Sequence, residues 1–429
     1  MRQQATIETR GRRRLIRVVV MAGLAVLVGL TPFVGSTPAP AGALIDVAVV
    51  VKLGPGVDPA AFVEPYGLVI AAPLVPSRGI YVLELGPGSR TATSKERLKA
   101  AKDAAAALDK SSSVLYAEVA PSSTFGDDGR VHAFPRGAWS PVSGGTEVWT
   151  GQESLQYLQL GRVHTLTTGA GVTVAVIDTG ADLTHPYLAG HLAGGYDFVG
   201  DDPDPTDHGD GVDNDGDGEV DEAFGHGTHT AGLVALVAPG AQILTYRVLD
   251  ADGTGDPYRV AEAINDAVTA GAKVINLSFG ADGELDSKVL KSAIKNAMRH
   301  EVVIVAAAGN VGTNREYSPA SNKEVLSVGA TDAGNGRLAD FSNYGKWALV
   351  AAPGVDIVST VPGEGFGAWS GTSMSTSIVS GEVALIRSFD PSCKRKKAIE
   401  VVGRASTKLS GRNRVERGMI DILRSLDQT

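Results

Sequence analysis

The chain has 429 residues and a mass of 44.3 kDa, 43% hydrophobic and 20% charged, which is enough for two or three domains with a sizeable core and excludes a disordered or collagen-like chain. A single cysteine, Cys393, excludes an intramolecular disulfide and a cysteine-based zinc site. The net charge of −9 comes from one block, residues 197–222, with twelve acids and no Lys or Arg; the most basic stretch, 387–417, lacks interleaved aromatic residues and reads as a solvated helical face, so no nucleic-acid partner is expected.

In chain order, residues 1–17 carry six Arg against one Glu, residues 18–30 are apolar, and Pro38-Ala-Pro-Ala-Gly-Ala43 supplies small-residue cleavage sites. This pattern is a secretory signal over 1–43. The apolar run is short of the ~20 residues that a span needs, so no stable membrane span is expected after signal removal, although left uncleaved it would be an anchor. Gly11-Arg-Arg-Arg-Leu-Ile-Arg17 also fits a twin-arginine export signal, leaving two export routes open. Either route takes the protein outside the cytoplasm.

A small α+β domain is expected over 44–120: strands at 47–53, 79–85 and 114–119, a segment at 59–66, and an Ala/Lys helix at 95–108 capped by Ser94. Residues 121–150, rich in Ser, Gly and Pro, read as an exposed linker open to proteolysis. From 151 to 429, nearly continuous apolar strands (172–177, 243–249, 273–277, 302–307, 325–328, 348–351) alternate with helices at 258–270 and 287–299. That alternation predicts an α/β fold with a parallel sheet covered by helices on both faces, its chemistry at the carboxyl ends of the strands.

Three such ends carry reactive side chains. The first strand runs into Asp178-Thr-Gly180; Gly225-His-Gly-Thr-His-Thr-Ala-Gly232 opens a helix at His226; and Ser370-Gly-Thr-Ser-Met-Ser375 turns Ser373 into another helix. Ser373 is a poor nucleophile until a base removes its proton. His226 can do so near neutral pH, and Asp178 can hold the imidazole in the required tautomer. The order Asp, His, Ser excludes the α/β-hydrolases, which place His after Ser, because the last histidine here is His300. His226 and His229 lack the third ligand of a metal site. The strand at 302–307 ends in Ala308-Gly-Asn310, whose carboxamide can donate to an oxyanion together with the Ser373 N–H.

These four motifs, in this order, resemble those of the subtilisin-like serine proteases. Leu183-Thr-His-Pro-Tyr-Leu188, Asn276-Leu-Ser-Phe-Gly280 and Val350-Ala-Ala-Pro-Gly354 extend the likeness. The resemblance implies an endopeptidase acting on protein or peptide substrates through an acyl-enzyme at Ser373. Ser278, Phe279 and Gly280 would form one backbone edge and Asp252, Gly253 and Thr254 the other, with a substrate strand added between them. Ala307, Ala308 and Gly309 would line the primary side-chain pocket. The domain at 44–120 would be an inhibitory, chaperone-like propeptide, cut away within 121–150 to leave a catalytic domain over 151–429, expected to be a monomer.

Two departures from the family pattern stand out. Ser377 replaces the usual Pro of the serine helix, and the chain after His226 lacks a loop that often binds calcium. In compensation, the insert at 197–222 contains Asp213, Asp215 and Asp217 in alternation, Gly218, then Asp221 and Glu222. Hard oxygen ligands at this spacing suit a structural Ca²⁺, although the closing acid comes too early for an EF-hand. The alternative function is a catalytically silent, calcium-stabilised binding protein on the same fold.

Overall fold

The structure, a computed structural model, describes residues 48–86, 93–120, 131–133, 139–283, 287–332 and 336–429. The expected signal segment at 1–43 lies outside them. Val-rich β1 (Ala48–Leu53) is followed by α1 (Pro59–Val63), β2 (Leu68–Val75), β3 (Ile80–Leu85), α2 (Ser94–Leu108) and β4 (Val114–Val119). The strands form an antiparallel sheet in the order β2-β3-β1-β4. Alternate residues of β1 face opposite ways, as a pleat requires. Val49 and Val51 pack with Leu83 and Leu108 in this unit's own core, whereas Val50 joins Val75 and Ile80 in a core shared with the rest of the chain. Thr93, not Ser94, caps α2: its hydroxyl accepts the Glu96 N–H at 3.3 Å, and the Glu96 carboxylate accepts the Thr93 N–H at 2.8 Å.

The expected linker is more ordered than its composition suggests. It contains β5 (Val131–Ala133), β6 (Ser140–Val142) and α3 (Thr146–Thr150), with α4 (Leu160–Val163) beyond it. Composition could not reveal β5 and β6, because each is a short strand completed by partners distant in sequence.

The catalytic-type region continues with β7 (Thr173–Asp178), β8 (Leu192–Asp197), α5 (His226–Val237), β9 (Gln242–Arg247), β10 (Thr254–Gly255), α6 (Pro257–Thr269), β11 (Val274–Leu277), β12 (Phe279–Asp282), α7 (Lys288–Arg299), β13 (Val303–Ala307), β14 (Tyr317–Ser318), β15 (Leu326–Asp332), β16 (Arg337–Leu338), β17 (Val350–Pro353), β18 (Ile357–Val361), β19 (Gly365–Trp369), α8 (Thr372–Phe389), α9 (Arg395–Ala405), β20 (Gly418–Met419) and α10 (Ile422–Asp427). The large sheet runs β20-β17-β15-β13-β11-β7-β9-β8, parallel throughout, with β16 antiparallel on the β15 edge. Val174 and Val176 of β7 face the core under α5 and α8, and Ala175 and Ile177 face the core under α6 and α7. A strand buried on both faces therefore has no polar alternation. The chain passes from β7 to β8 and β9 on one side and then to β11 on the other, so the strand order reverses between β7 and β11, where such sheets open a crevice. No helix among the described residues is long and apolar enough to cross a membrane.

One buried acid gives the fold a pH dependence. Glu382, in the interior of α8, is fully buried; its Oε1 accepts the Ser425 hydroxyl at 2.7 Å, and its Oε2 has no hydrogen-bond partner. Burial pushes its pKa up to about 8, so the folded state holds a proton that the unfolded chain releases at ordinary carboxylate pH. The contribution of Glu382 to stability is greatest below that ordinary range and is lost as pH climbs to about 8. The Glu382→Gln substitution removes the titration. In a Ser373→Ala background, which prevents autolysis, its thermal midpoint should gain on the parent between pH 5 and 8 and hold a constant lead above that. A lead that does not change with pH would show that Glu382 is not the titrating group.

Candidate active site

Asp178 ends β7 at the sheet's point of reversal and is fully buried. Its Oδ1 accepts the Thr179 N–H at 2.9 Å and lies 2.7 Å from His226 Nδ1; its Oδ2 accepts the Thr230 hydroxyl at 3.2 Å. A carboxylate facing Nδ1 assigns the proton to that nitrogen and leaves the Nε2 lone pair free as a base. Nε2 is buried without a hydrogen-bond partner.

His226 is the first residue of α5, and the neighbouring glycines explain how it comes so close to β7. A Cβ on Gly227 would lie 2.0 Å from the carbonyl oxygen of Gly180, so only glycine lets the helix start against the turn after Asp178. The Gly227 N–H donates to Thr179 Oγ1 at 2.9 Å. A second acid, missed in the sequence, supports the helix start: buried Asp207 accepts the N–H groups of Gly225 and Thr228, each at 3.2 Å, and the Thr228 hydroxyl at 2.8 Å. Burial raises its pKa to about 6. Within the acidic block nothing distinguishes Asp207 from its solvated neighbours. His229 faces away from the site: its Nε2 donates towards the Ile357 and Gly367 carbonyls at 3.0 and 3.2 Å, and burial lowers its pKa to about 3.

Ser373 lies in the first turn of α8, where backbone N–H groups have no helical acceptor. Its hydroxyl donates to the carbonyl of Ser278 at 2.8 Å and not to His226 Nε2. Asn310 follows β13, and its Oδ1 accepts the Thr372 N–H at 3.0 Å, which fixes the carboxamide beside the start of α8. Ser377, where Pro is usual in the resembling family, donates its hydroxyl to the Ser373 carbonyl at 3.0 Å inside a continuous helix.

The two expected substrate edges form one sheet, and the chain itself lies between them. β5 pairs antiparallel with both β10 and β12, His132 opposite Thr254 and Gly280, and Ala133 opposite Phe279; the Ala133 N–H donates to the Gly253 carbonyl at 2.8 Å. His226 and Ser373 both have no exposed surface. Ala307 and Ala308 are buried, and the Tyr317 ring lies close to Gly309: a Cβ there would be 3.1 Å from it.

The side chain of Asp252 turns into the acidic insert, not the groove. Its Oδ1 accepts the Asp221 N–H at 2.5 Å, and its Oδ2 accepts the Asn214 N–H. Ligand atoms of Asp213, Asp215 and Asp252 lie within 4.8 Å of one another, as do those of Asp215, Asp217 and Glu222. Asp221 is in neither group; its carboxylate accepts the N–H groups of Asp210 and Gly211. Glu222 Oε2 is buried with no hydrogen-bond donor, and burial, then the charges of Asp252 and Asp215, raises its pKa to about 7. An orphaned carboxylate oxygen among acids matches a hard cation's needs.

The profile of the subtilase family matches residues 169–419. This chain belongs to the subtilase family. Among known subtilases, it is 44% identical over 229 residues to a thermophilic serine proteinase of Bacillus sp. (strain AK1), an alignment covering 51% of this chain and 53% of that protein. Thermitase of Thermoactinomyces vulgaris is 37% identical over 266 residues, with 60% and 88% covered, and subtilisin BL of Lederbergia lenta 36% over 263, with 59% and 90%. The chain thus spans about half the length of the first relative and most of the other two. Its fold is that of a subtilase, and the family and these relatives support a serine endopeptidase.

Proposed function

We propose that this subtilase is a secreted serine endopeptidase made as a zymogen, with residues 44–120 its inhibitor and an acidic insert stabilised by Ca²⁺. The observation that carries the reading is the buried Asp178–His226 pair at 2.7 Å, which leaves Nε2 without a hydrogen-bond partner. In hydrolysis, Ser373 Oγ attacks the substrate carbonyl carbon as His226 Nε2 takes its proton, and Asp178 stabilises the imidazolium. The carbonyl oxygen becomes an oxyanion, which accepts from the Asn310 amide and the Ser373 N–H. His226 then protonates the leaving amine, giving the acyl-enzyme, and water reverses the sequence.

Several contacts support the inhibitor role. Glu118 accepts the Ser287 hydroxyl at 2.8 Å and the Lys288 N–H at 3.0 Å, placing a negative charge at the start of α7. Arg78 forms a two-pronged pair with Asp266 at 3.1 and 2.7 Å, Lys52 pairs with Glu262, and Tyr116 stacks on Tyr258. From there the chain enters the groove as β5. Trp139 lies at Gly225, next to His226: a Cβ on that glycine would be 3.1 Å from the indole nitrogen. Ala133 and Trp139 therefore flank the catalytic centre, and self-cleavage is expected between them, a tighter interval than 121–150. Intact-mass and N-terminal analysis of the exported protein tests this. A new N-terminus among residues 134–139, with casein cleaved, supports the reading; a full-length, casein-inert product would point to the silent protein.

Calcium, where bound, neutralises and orders the insert; Asp213, Asp215, Asp217, Asp252 and Glu222 would hold it. At a hundredfold excess over its Kd, the ion should stabilise the Ser373→Ala protein by about 2.7 kcal/mol, read as a raised thermal midpoint. In Asp215→Ala that rise should vanish. An equal rise in both proteins would place the ion elsewhere.

A further inference from the structure

A residue in none of the motifs holds the loop that carries Asn310. Asn343 is fully buried. Its Nδ2 donates to the Ala308 carbonyl at 2.8 Å, its Oδ1 accepts the N–H groups of Val311 and Thr313, each at 3.2 Å, and its own N–H donates to the Gly309 carbonyl at 2.9 Å. One residue therefore ties down the backbone on both sides of Asn310. The approach depends on Gly309, whose φ of +99° suits glycine and where a Cβ would lie 2.5 Å from Asn343 Nδ2.

We infer that Asn343 is a positioning residue for transition-state stabilisation, acting through Asn310; the inference rests on the reading of Asn310 as an oxyanion donor. Such a donor accelerates a reaction only if it is already in place when charge develops, because reorganisation during the reaction subtracts from its effect. The Thr372 N–H orients the Asn310 carboxamide, and Asn343 fixes the backbone from which that carboxamide extends. Removing Asn343 releases the backbone while Thr372 still holds the side chain, so the Nδ2 donor drifts from the position of the oxyanion. Asn343 makes no hydrogen bond to either substrate edge, but it holds the Ala308 and Gly309 carbonyls of the expected side-chain pocket, so a small rise in KM should accompany a larger fall in kcat.

The test is a double-mutant cycle on the processed enzyme, measuring kcat and KM with a chromogenic peptide amide for Asn343→Ala, Asn310→Ala and the pair. Asn343→Ala should lower kcat about tenfold with no more than a small rise in KM, less than the ~10²-fold cost of an ångström of misplacement. In the Asn310→Ala background the same change should cost less than twofold. Equal losses in both backgrounds, or a raised KM with kcat intact, would overturn the inference. If Asn310→Ala alone leaves kcat unchanged, the oxyanion reading fails first and takes this inference with it. Should Asn343→Ala not fold, Asn343→Ser keeps the backbone N–H to Gly309 and puts a small uncharged hydroxyl in place of the carboxamide. It should show a smaller fall in kcat than Asn343→Ala, and wild-type kcat in that variant would equally overturn the inference.

Discussion

Ser373→Ala is expected to lower kcat by about 10⁶-fold, the magnitude known for subtilisin itself, and to leave the exported chain in one piece. The variant loses one hydrogen bond, from the hydroxyl to the Ser278 carbonyl, worth about 1 kcal/mol, so the fold should persist. His226 Nε2 has no hydrogen-bond partner even in the parent, so the base loses no stabilising contact. Because the triad acts as a unit, His226→Ala should cost nearly as much, and the double variant little more. The comparison is made by mass spectrometry on the two exported proteins and by casein hydrolysis. Processing of Ser373→Ala at the wild-type bond, in a host without other proteases, would remove self-cleavage from the account.

Asn310→Ala should lower kcat by about 10²–10³-fold with little change in KM, the cost of losing one oxyanion donor in subtilisin. The substitution also removes the acceptor of the Thr372 N–H, but that donor is in the first turn of α8, where N–H groups commonly meet water. Asn310→Asp separates the two roles: a carboxylate still accepts from Thr372 but repels the developing oxyanion, so its kcat should be no higher than that of Asn310→Ala. Steady-state kinetics on a peptide amide decide the point. An Asp variant with kcat near wild type would show that the side chain acts through Thr372 and not on the substrate.

The large sheet was legible because β7, β11 and β13 are buried on both faces and so carry uninterrupted apolar runs. Asp178, His226 and Ser373 stood out in the sequence because each marks an element boundary next to glycines. Other features depend on partners that the local sequence does not name. β2 carries Pro73 within its run, and β5 and β6 are completed by strands more than a hundred residues away. Asp252 lies next to a substrate edge in sequence, yet its side chain serves the acidic insert. Asn343, within Ser342-Asn-Tyr-Gly345, reads as a turn residue; its four hydrogen bonds to the Asn310 loop exist only once the fold brings residues 308–313 alongside.

The strand at Val131–Ala133 bears on kinetics as well as on shape. In the proposed self-cleavage, a segment already paired in the groove would meet its own nucleophile at an effective concentration on the order of mM or more, so the first cut would be unimolecular and independent of protein concentration. Cutting the chain breaks the tether but none of the contacts of Glu118, Arg78, Lys52 or Tyr116. The released N-terminal piece would then be a separate ligand, its departure depending on dilution and on its destruction by molecules already free of it. Activation would then begin at a fixed rate, accelerate as free enzyme accumulates, and show a lag that shortens with increasing concentration.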